Sequence, residues 1–401
     1  MQKILLVICD GLGDRPTKKF GGKTPLEAAK TKNLDRLAAN GLTGTMNAVD
    51  RKLYPDSDKA HLSIFGYPLG KYYCGRGPIE AAGIGLKLRK GDIALRANIA
   101  TVDQKGIIVD RRAGRIESVQ KFVKKLDGIK INGTRIFVKA GTGYRAVVVV
   151  RGKGLSEKVT QNDPKKIGVK PLKFMAENSS GNAERTAGIL NAFTERAHEI
   201  LLMHPENLKR KKLGLLEANY LLLRSAGKVK YIPSFKKKYG LKAAVIAGAG
   251  MYKGIAKIVG MKVLKVKGAT GLPNTNVKAK FLAAKKALKK FDFVFVHVKA
   301  ADSFGEDGNA EGKKKFIEKI DRAAKEFLDL KNTVIAVTAD HSTPCELKKH
   351  SSDAVPVLVA GQGIKGGQVK EFSERACRKG TLGHLSGLQL MPKLLRLSGR
   401  R

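Results

Sequence analysis

Tryptophan is absent and aromatic residues make up only 6 % of the chain. That excludes an aromatic-rich base-stacking platform for single-stranded nucleic acid. Cysteine is sparse. Cys9, Cys74, Cys345 and Cys377 lie far apart, with no C-x-x-C pair and no zinc-knuckle spacing, which fits a reducing, cytoplasmic setting. Long hydrophobic runs are missing too, and nothing approaches the roughly 18 apolar residues that span a bilayer. The apolar start Ile4–Cys9 is too short for a signal peptide and ends on Asp10-Gly11 without a small-residue cleavage pattern. A soluble protein without a membrane partner is expected. Acidic residues are also scarce: 35 Asp and Glu against 78 Lys and Arg, a formal net charge of +43. That sign points towards anionic partners.

What is present is a chain of 401 residues, 42 % of them hydrophobic. This is enough for two domains, or for one large α/β domain carrying an insertion. Apolar runs alternate with helical patterns. Strands are expected at Ile4–Cys9, Ala243–Ala247, Phe293–Val298 and Thr333–Thr338. Helices are expected at Pro25–Ala39, Ala187–Met203, from Gly250 through Lys257, and at Lys313–Leu328. The β–α–β rhythm predicts an α/β fold with a mostly parallel sheet flanked by helices. One stretch breaks the rhythm. Ile93–Asp110, Ile129–Val138 and Tyr144–Arg151 read as strands between Gly-containing turns, with one helix near Glu117–Leu126. We expect a main domain over 1–85 and 180–401, and a smaller inserted α+β domain over 86–179.

Three strands run into acidic residues or histidine: Asp10 after the first, Asp340-His341 after the last, and His297 to Asp302 around a third. In open parallel sheets, ligands bind beyond the carboxyl ends of the strands. Each Asp alone could cap a helix; three together point to a metal site, and carboxylate with imidazole suits Mn²⁺, Zn²⁺ or Mg²⁺. Ser57, in Tyr54-Pro55-Asp56-Ser57-Asp58-Lys59-Ala60-His61-Leu62, falls at a loop-to-helix start. It reads as a helix N-cap, or as a nucleophile if a metal lies close enough to lower its hydroxyl pKa.

Several stretches, in order along nearly the whole chain, resemble one family. They include Ile8-Cys9-Asp10-Gly11-Leu12-Gly13-Asp14, Asp56-Ser57-Asp58-Lys59-Ala60-His61-Leu62, Gly75-Arg76-Gly77-Pro78-Ile79-Glu80 and Asp110-Arg111-Arg112-Ala113-Gly114-Arg115. Ala218-Asn219-Tyr220-Leu221-Leu222-Leu223-Arg224 and Thr338-Ala339-Asp340-His341-Ser342-Thr343-Pro344-Cys345 follow. The sequence looks like the archaeal-type cofactor-independent (2,3-bisphosphoglycerate-independent) phosphoglycerate mutases of the alkaline phosphatase superfamily. The resemblance implies two divalent ions, Mn²⁺ first, with Mg²⁺, Co²⁺ or Zn²⁺ as alternatives, and no bisphosphoglycerate cofactor. One ion would sit among Asp10, Ser57, Asp340 and His341, the second among Asp302, Glu306 and His350. Ser57 would carry the phosphoryl group between the two hydroxyls of glycerate.

For the phosphate and carboxylate of phosphoglycerate, arginine is the suited partner. The resemblance implies Arg96, Arg112, Arg115, Arg145, Arg224 and Lys253, with Arg145 and Lys253 also placed as catalytic. The chain departs from the family at several points. Glu306 replaces a histidine ligand, Tyr144 and Lys165 stand where histidine is common, Ser225 replaces a usual glycine, and Asn274 and Asn276 replace acids. Two other readings compete: a related metal-dependent phosphomutase or phosphomonoesterase with another substrate, and a polyanion-binding protein on a degenerate enzyme fold. The few aromatics and dispersed lysines speak against nucleic acid.

Overall fold

The computed structural model describes residues 1–400. The chain forms two compact units, Met1–Tyr73 with Ile232–Arg401, and Cys74–Tyr231. In chain order the strands are β1 (Lys3–Cys9), β2 (Gly41–Asn47), β3 (Ile93–Val102), β4 (Ile108–Asp110), β5 (Lys130–Ile131), β6 (Thr134–Ala140) and β7 (Arg145–Arg151). They continue with β8 (Tyr220–Lys228), β9 (Ala243–Ile246), β10 (Lys262–Val263), β11 (Phe293–Val298), β12 (Thr333–Thr338), β13 (Val355–Gly361) and β14 (Gly383–Ser386).

The first unit is built on one sheet of order β10-β9-β11-β1-β12-β13-β2-β14. From β10 to β12 all pairs are parallel; only β13 runs against its neighbours. Ile4–Cys9 has almost no exposed surface, as expected of a strand covered on both faces. Ile8 lies beside His297 on one side and Thr338 on the other. The residues that follow β1, β11 and β12 therefore emerge at one sheet edge. The expected α/β fold is observed, with strands β11 and β12 at the expected bounds.

The expected helix Pro25–Ala39 is instead two, Pro25–Ala28 and Lys32–Ala39. The first is closed at its start by a Thr24–Glu27 capping box. The second begins where Asp321 Oδ1 accepts hydrogen bonds from the amides of Asn33 and Leu34, at 2.9 and 2.8 Å. A carboxylate from a distant helix, Ala310–Ala324, thus satisfies the amides left open at a helix start. That lets the chain break at Ala29, whose backbone is extended. The helix expected to reach Leu328 ends at Ala324 and passes into a short 3-10 turn, Lys325–Phe327.

The second unit is an antiparallel sheet, β4-β3-β7-β6-β5, with β8 also paired to β3. Helix Gly181–Leu202 places Ala187, Ile189, Leu190, Phe193, Ala197 and Leu201 in the core of this unit, together with Leu221 and Leu223 of β8. The unit edges therefore lie at 73/74 and 231/232, not at the expected 85/86 and 179/180. The helix packs into the core of this unit and β8 pairs along β3, and neither is marked in sequence as belonging there.

Ser225, in β8, is held at φ +57, a backbone conformation costing an L-residue about 1–2 kcal/mol. Glycine, which the resemblance implies at this position, adopts that conformation without the cost. Ser225→Gly is expected to leave the fold intact and to raise the urea midpoint by an amount equivalent to about 1 kcal/mol. Among the described residues, no helix is long and apolar enough to cross a membrane.

Candidate metal centre and active site

Asp10 follows β1 at the sheet edge and is fully buried. The Tyr252 hydroxyl donates to its Oδ2. The same oxygen lies 3.2 Å from His297 Nε2 and 3.4 Å from Lys299 Nζ. Asp340 follows β12, and its Oδ1 accepts from the amides of Gly11 and His341 at 3.2 and 3.1 Å. Each carboxylate is thus anchored through one oxygen. The other oxygens, Asp10 Oδ1 and Asp340 Oδ2, are buried without a hydrogen-bond partner. A buried, bare carboxylate oxygen is costly unless something cationic meets it.

His341 faces both. Its Nε2 lies 3.5 Å from Asp10 Oδ1 and 3.4 Å from Asp340 Oδ2. On its other side, His341 Nδ1 is 3.2 Å from Thr343 Oγ1, and that hydroxyl spends its proton on Asp302 Oδ1 at 2.7 Å. Nδ1 must therefore donate, which leaves the Nε2 lone pair turned to the carboxylates, as a metal-binding imidazole requires. Ser57 Oγ is 3.1 Å from the same Nε2. The N-cap of helix Ser57–Ile64 is Asp56, so Ser57 is its first residue. Ser57 is not the cap that its sequence position alone permits. Its hydroxyl points into the cluster, at a helix start, where an anion is well received.

A second group adjoins the first. Asp302, His341 and His350 bring their donor atoms within 4.8 Å of one another, as do Asp10, Asp340 and His341. The His341 and His350 rings stack at 3.7 Å. His350 Nδ1 donates to Pro55 O at 3.1 Å, so Nε2 faces Asp302 Oδ1 at 3.3 Å. Glu306 is the last residue of helix Ala300–Glu306, one turn beyond Asp302. Its Oε1 is 3.9 Å from His350 Nε2 and its side chain is 53 % exposed; it stands at the rim of this group. Gly11 makes the close packing possible. It has φ +64, and a Cβ there would sit 2.6 Å from the Asp302 Cα and from the Thr343 hydroxyl.

Electrostatics follow from this geometry. Burial pushes the Asp10 carboxyl up, but Lys299, then His297 and His341, hold it well below the usual range. Asp340 is pushed up by burial and by Asp10. Burial and Asp10 also raise Asp302, yet its bond to His350 and the charge of Lys299 bring it down to about 2. Burial opposes the charged form of His350, and Asp302 overrides it, lifting the imidazole to about 9. Burial takes His297 down to about 3, so it stays neutral beside Asp10. Glu306 is raised by burial and then by Asp302.

Four of the chain's seven histidines belong to this region, since His61 packs against His297 and Tyr252 with ring centroids 5.2 and 5.0 Å apart. His61 Nδ1 donates to Ser57 O at 2.7 Å, which fixes the start of the serine helix. His61, Tyr252, Lys299 and Thr343 were not singled out from sequence. Lys299, His61 and Thr343 lie within a few residues of singled-out positions and carried a signal; Tyr252 meets the site only through tertiary contact.

Behind the cluster, the fully buried Lys313 donates to Gly13 O, Thr343 O and Asp14 Oδ2 at 2.8 to 3.0 Å. It thereby ties the loop after β1 to the loop after β12. Lys253 lies on helix Gly250–Ile258, half-buried and next to Tyr252. Burial first, then Lys257 and Lys265, hold its ammonium below the usual lysine range. No ion pair joins it to the carboxylates among the described residues.

The remaining basic residues lie in the second unit. Arg96 of β3 is the register partner of Arg224 on β8, and Asn98 is that of Arg145 on β7. Strand alternation puts Arg96, Arg145 and Arg224 on one face of the sheet. Arg112 and Arg145 both pack over the Tyr144 ring, at 5.6 and 5.0 Å. Asp163 pairs with Arg111 at 2.7 Å and with Arg224, leaving the group strongly cationic. Burial, then Arg76, lowers Arg96 to about 10. Arg115 is exposed in the turn after this region, at φ +58; no ion pair or ring contact joins it to the others among the described residues.

Buried carboxylates with bare oxygens around an imidazole lone pair and a serine hydroxyl, at the carboxyl edge of a parallel sheet, define a metal-dependent enzyme. In agreement, the sequence pattern of the Metalloenzyme superfamily matches residues 2–396. The chain is 46 % identical over 395 residues to 2,3-bisphosphoglycerate-independent phosphoglycerate mutase 1 of Archaeoglobus fulgidus, covering 97 % of this chain and 96 % of that one. A solved structure of a protein from Pyrococcus horikoshii is 38 % identical, covers 100 % of this chain and 98 % of its own, and superposes with a TM-score of 0.87. The cofactor-independent phosphoglycerate mutase of Thermoplasma acidophilum is 36 % identical, with full coverage of both chains and a TM-score of 0.77. The chain belongs to the 2,3-bisphosphoglycerate-independent phosphoglycerate mutase family.

Proposed function

We propose that this protein interconverts 3-phosphoglycerate and 2-phosphoglycerate through a phosphoserine at Ser57. The observation that carries the reading is the meeting of Ser57 Oγ with His341 Nε2 beside the bare oxygens of Asp10 and Asp340. Asp10, Ser57, Asp340 and His341 would hold one divalent ion; Asp302, His350 and, from the rim, Glu306 would hold a second. Oxygen-rich donors with one imidazole suit Mn²⁺ first, with Mg²⁺, Co²⁺ or Zn²⁺ as alternatives. Bound there, such ions supply Lewis acidity that lowers the serine hydroxyl pKa and balances the charge on the transferred group.

The protein's own residues do the rest. The helix start presents Ser57 Oγ for in-line attack on the phosphorus: the Oγ–P bond forms as the bond from phosphorus to the glycerate 3-oxygen breaks, and the serine proton ends on that departing oxygen. Glycerate then reorients, its 2-oxygen attacks the phosphorus as the Oγ–P bond breaks, and the 2-hydroxyl proton returns to Ser57 Oγ. Arg96, Arg112, Arg145 and Arg224 are read as holding the carboxylate and phosphate by bidentate bonds, with Arg115 and Lys253 as further members. The Cys74–Tyr231 unit is accordingly the substrate-binding unit. The net positive charge of the chain increases encounters with so acidic a substrate. A cytoplasmic place in glycolysis or gluconeogenesis belongs to the same reading.

The test is to supply 3-phosphoglycerate and Mn²⁺ without bisphosphoglycerate, and to follow 2-phosphoglycerate and free phosphate separately. Formation of 2-phosphoglycerate supports the mutase. Phosphate release alone would assign a phosphomonoesterase instead.

A further inference from the structure

Lys299 stands at the end of β11, just before helix Ala300–Glu306. Its ammonium lies 2.7 Å from Asp302 Oδ2 and 3.4 Å from Asp10 Oδ2. Those two carboxylates belong to the two different donor groups, so one side chain bridges both. The contact is largely buried, with 27 % of the lysine side chain exposed and the carboxylates almost none. The Tyr252 ring stands 6.0 Å from the ammonium on another side.

The charges can be counted. Asp10, Asp302, Asp340 and Glu306 supply four negative charges, which two divalent ions balance on their own. Lys299 is the ammonium that touches both Asp10 and Asp302, and together with the His350 imidazolium beside Asp302 it moderates the mutual repulsion of the carboxylates. When the ions are present, the same ammonium is surplus and repels them at short range.

We propose that Lys299 is an internal counter-cation: it holds Asp10 and Asp302 together through their Oδ2 atoms and, from that position, opposes by its charge the binding of divalent ions at their other oxygens. The inference rests on the metal-dependent reading above. It predicts effects of opposite sign on two properties. Removing the ammonium weakens the metal-free fold, because buried carboxylates lose their partner. The same change strengthens metal binding, because a competitor is gone. A lysine that merely supports the local structure would weaken both.

The experiment uses the full chain, stripped of metal, as wild type, Lys299→Met and Lys299→Arg. Free Mn²⁺ is followed by electron paramagnetic resonance during titration, and urea unfolding is recorded without metal. Lys299→Met should bind Mn²⁺ at least about tenfold tighter than wild type, while its metal-free urea midpoint falls. Lys299→Arg should keep both values near wild type. If Lys299→Met does not fold, Lys299→Gln takes its place with the same expectations. Equal or weaker Mn²⁺ binding by the neutral variant overturns the proposal. If wild type and variant both leave Mn²⁺ free in solution, the metal-dependent reading itself falls, and the counter-cation proposal with it.

Discussion

Ser57→Ala is expected to lower kcat for mutase turnover by at least about 10⁴-fold while leaving the circular dichroism spectrum and urea midpoint close to wild type. The size follows from removing the oxygen proposed to accept the phosphoryl group. The mildness towards the fold has a structural cause. Helix Ser57–Ile64 does not depend on the serine as its cap, since Asp56 occupies that position. The Ser57 hydroxyl makes its contact with His341, and the His61 ring holds the Ser57 carbonyl, not its side chain. Alanine therefore removes chemistry and little else. Residual turnover within tenfold of wild type would mean that phosphoryl transfer does not pass through this residue.

Metal removal should be as severe. Dialysis against a chelator is expected to take 2-phosphoglycerate formation down by at least about 10³-fold, and added Mn²⁺ should restore it. The reasoning starts from Asp10 Oδ1 and Asp340 Oδ2, which are buried and carry no hydrogen bond. Without a cation between them, neither a charge-neutral pocket nor an activated serine hydroxyl is available. His341→Ala should resemble chelation but resist rescue by Mn²⁺, because this one imidazole belongs to both donor groups. Glu306→Ala should be milder than either, since Glu306 stands half-exposed at the rim. Full activity after exhaustive chelation would contradict the metal assignment.

The parts of this site visible in sequence are those where local pattern and position coincide. Apolar runs ending on Asp10 and Asp340-His341 marked both the strands and their loaded ends, because a parallel strand needs a continuous apolar run and its carboxyl end faces the ligand edge. His61 and Thr343 stood inside the marked stretches without a role of their own, and Tyr252 could not be read this way at all. Tyr252 reaches Asp10 from 242 residues away in the chain, and a tyrosine on an apolar helix face looks like ordinary core. Glu306 was placed by the resemblance, where the family has a histidine, and that does not say whether its side chain turns inward or stays at the rim.

The same limit explains the fold differences. Nothing near Ala29 announces a helix break; the cause is Asp321, 288 residues beyond Asn33. The edges of the second unit were misplaced because helix Gly181–Leu202 has an apolar face that either unit could bury. Only its packing on the core of β3, β7 and β8 decides the matter. For Ser225 the resemblance implied a glycine, and the backbone at φ +57 is one that glycine adopts freely.

One measurement bears on the mechanism most directly. The Mn²⁺-loaded protein is mixed with 3-phosphoglycerate, quenched in acid within the first turnover, digested, and the peptide spanning Ser57 is analysed by mass spectrometry. Phosphate on Ser57, chased away by further substrate or glycerate and absent after chelation, is the predicted result. Formation of 2-phosphoglycerate with Ser57 never phosphorylated, or with the phosphate on another residue, would contradict it.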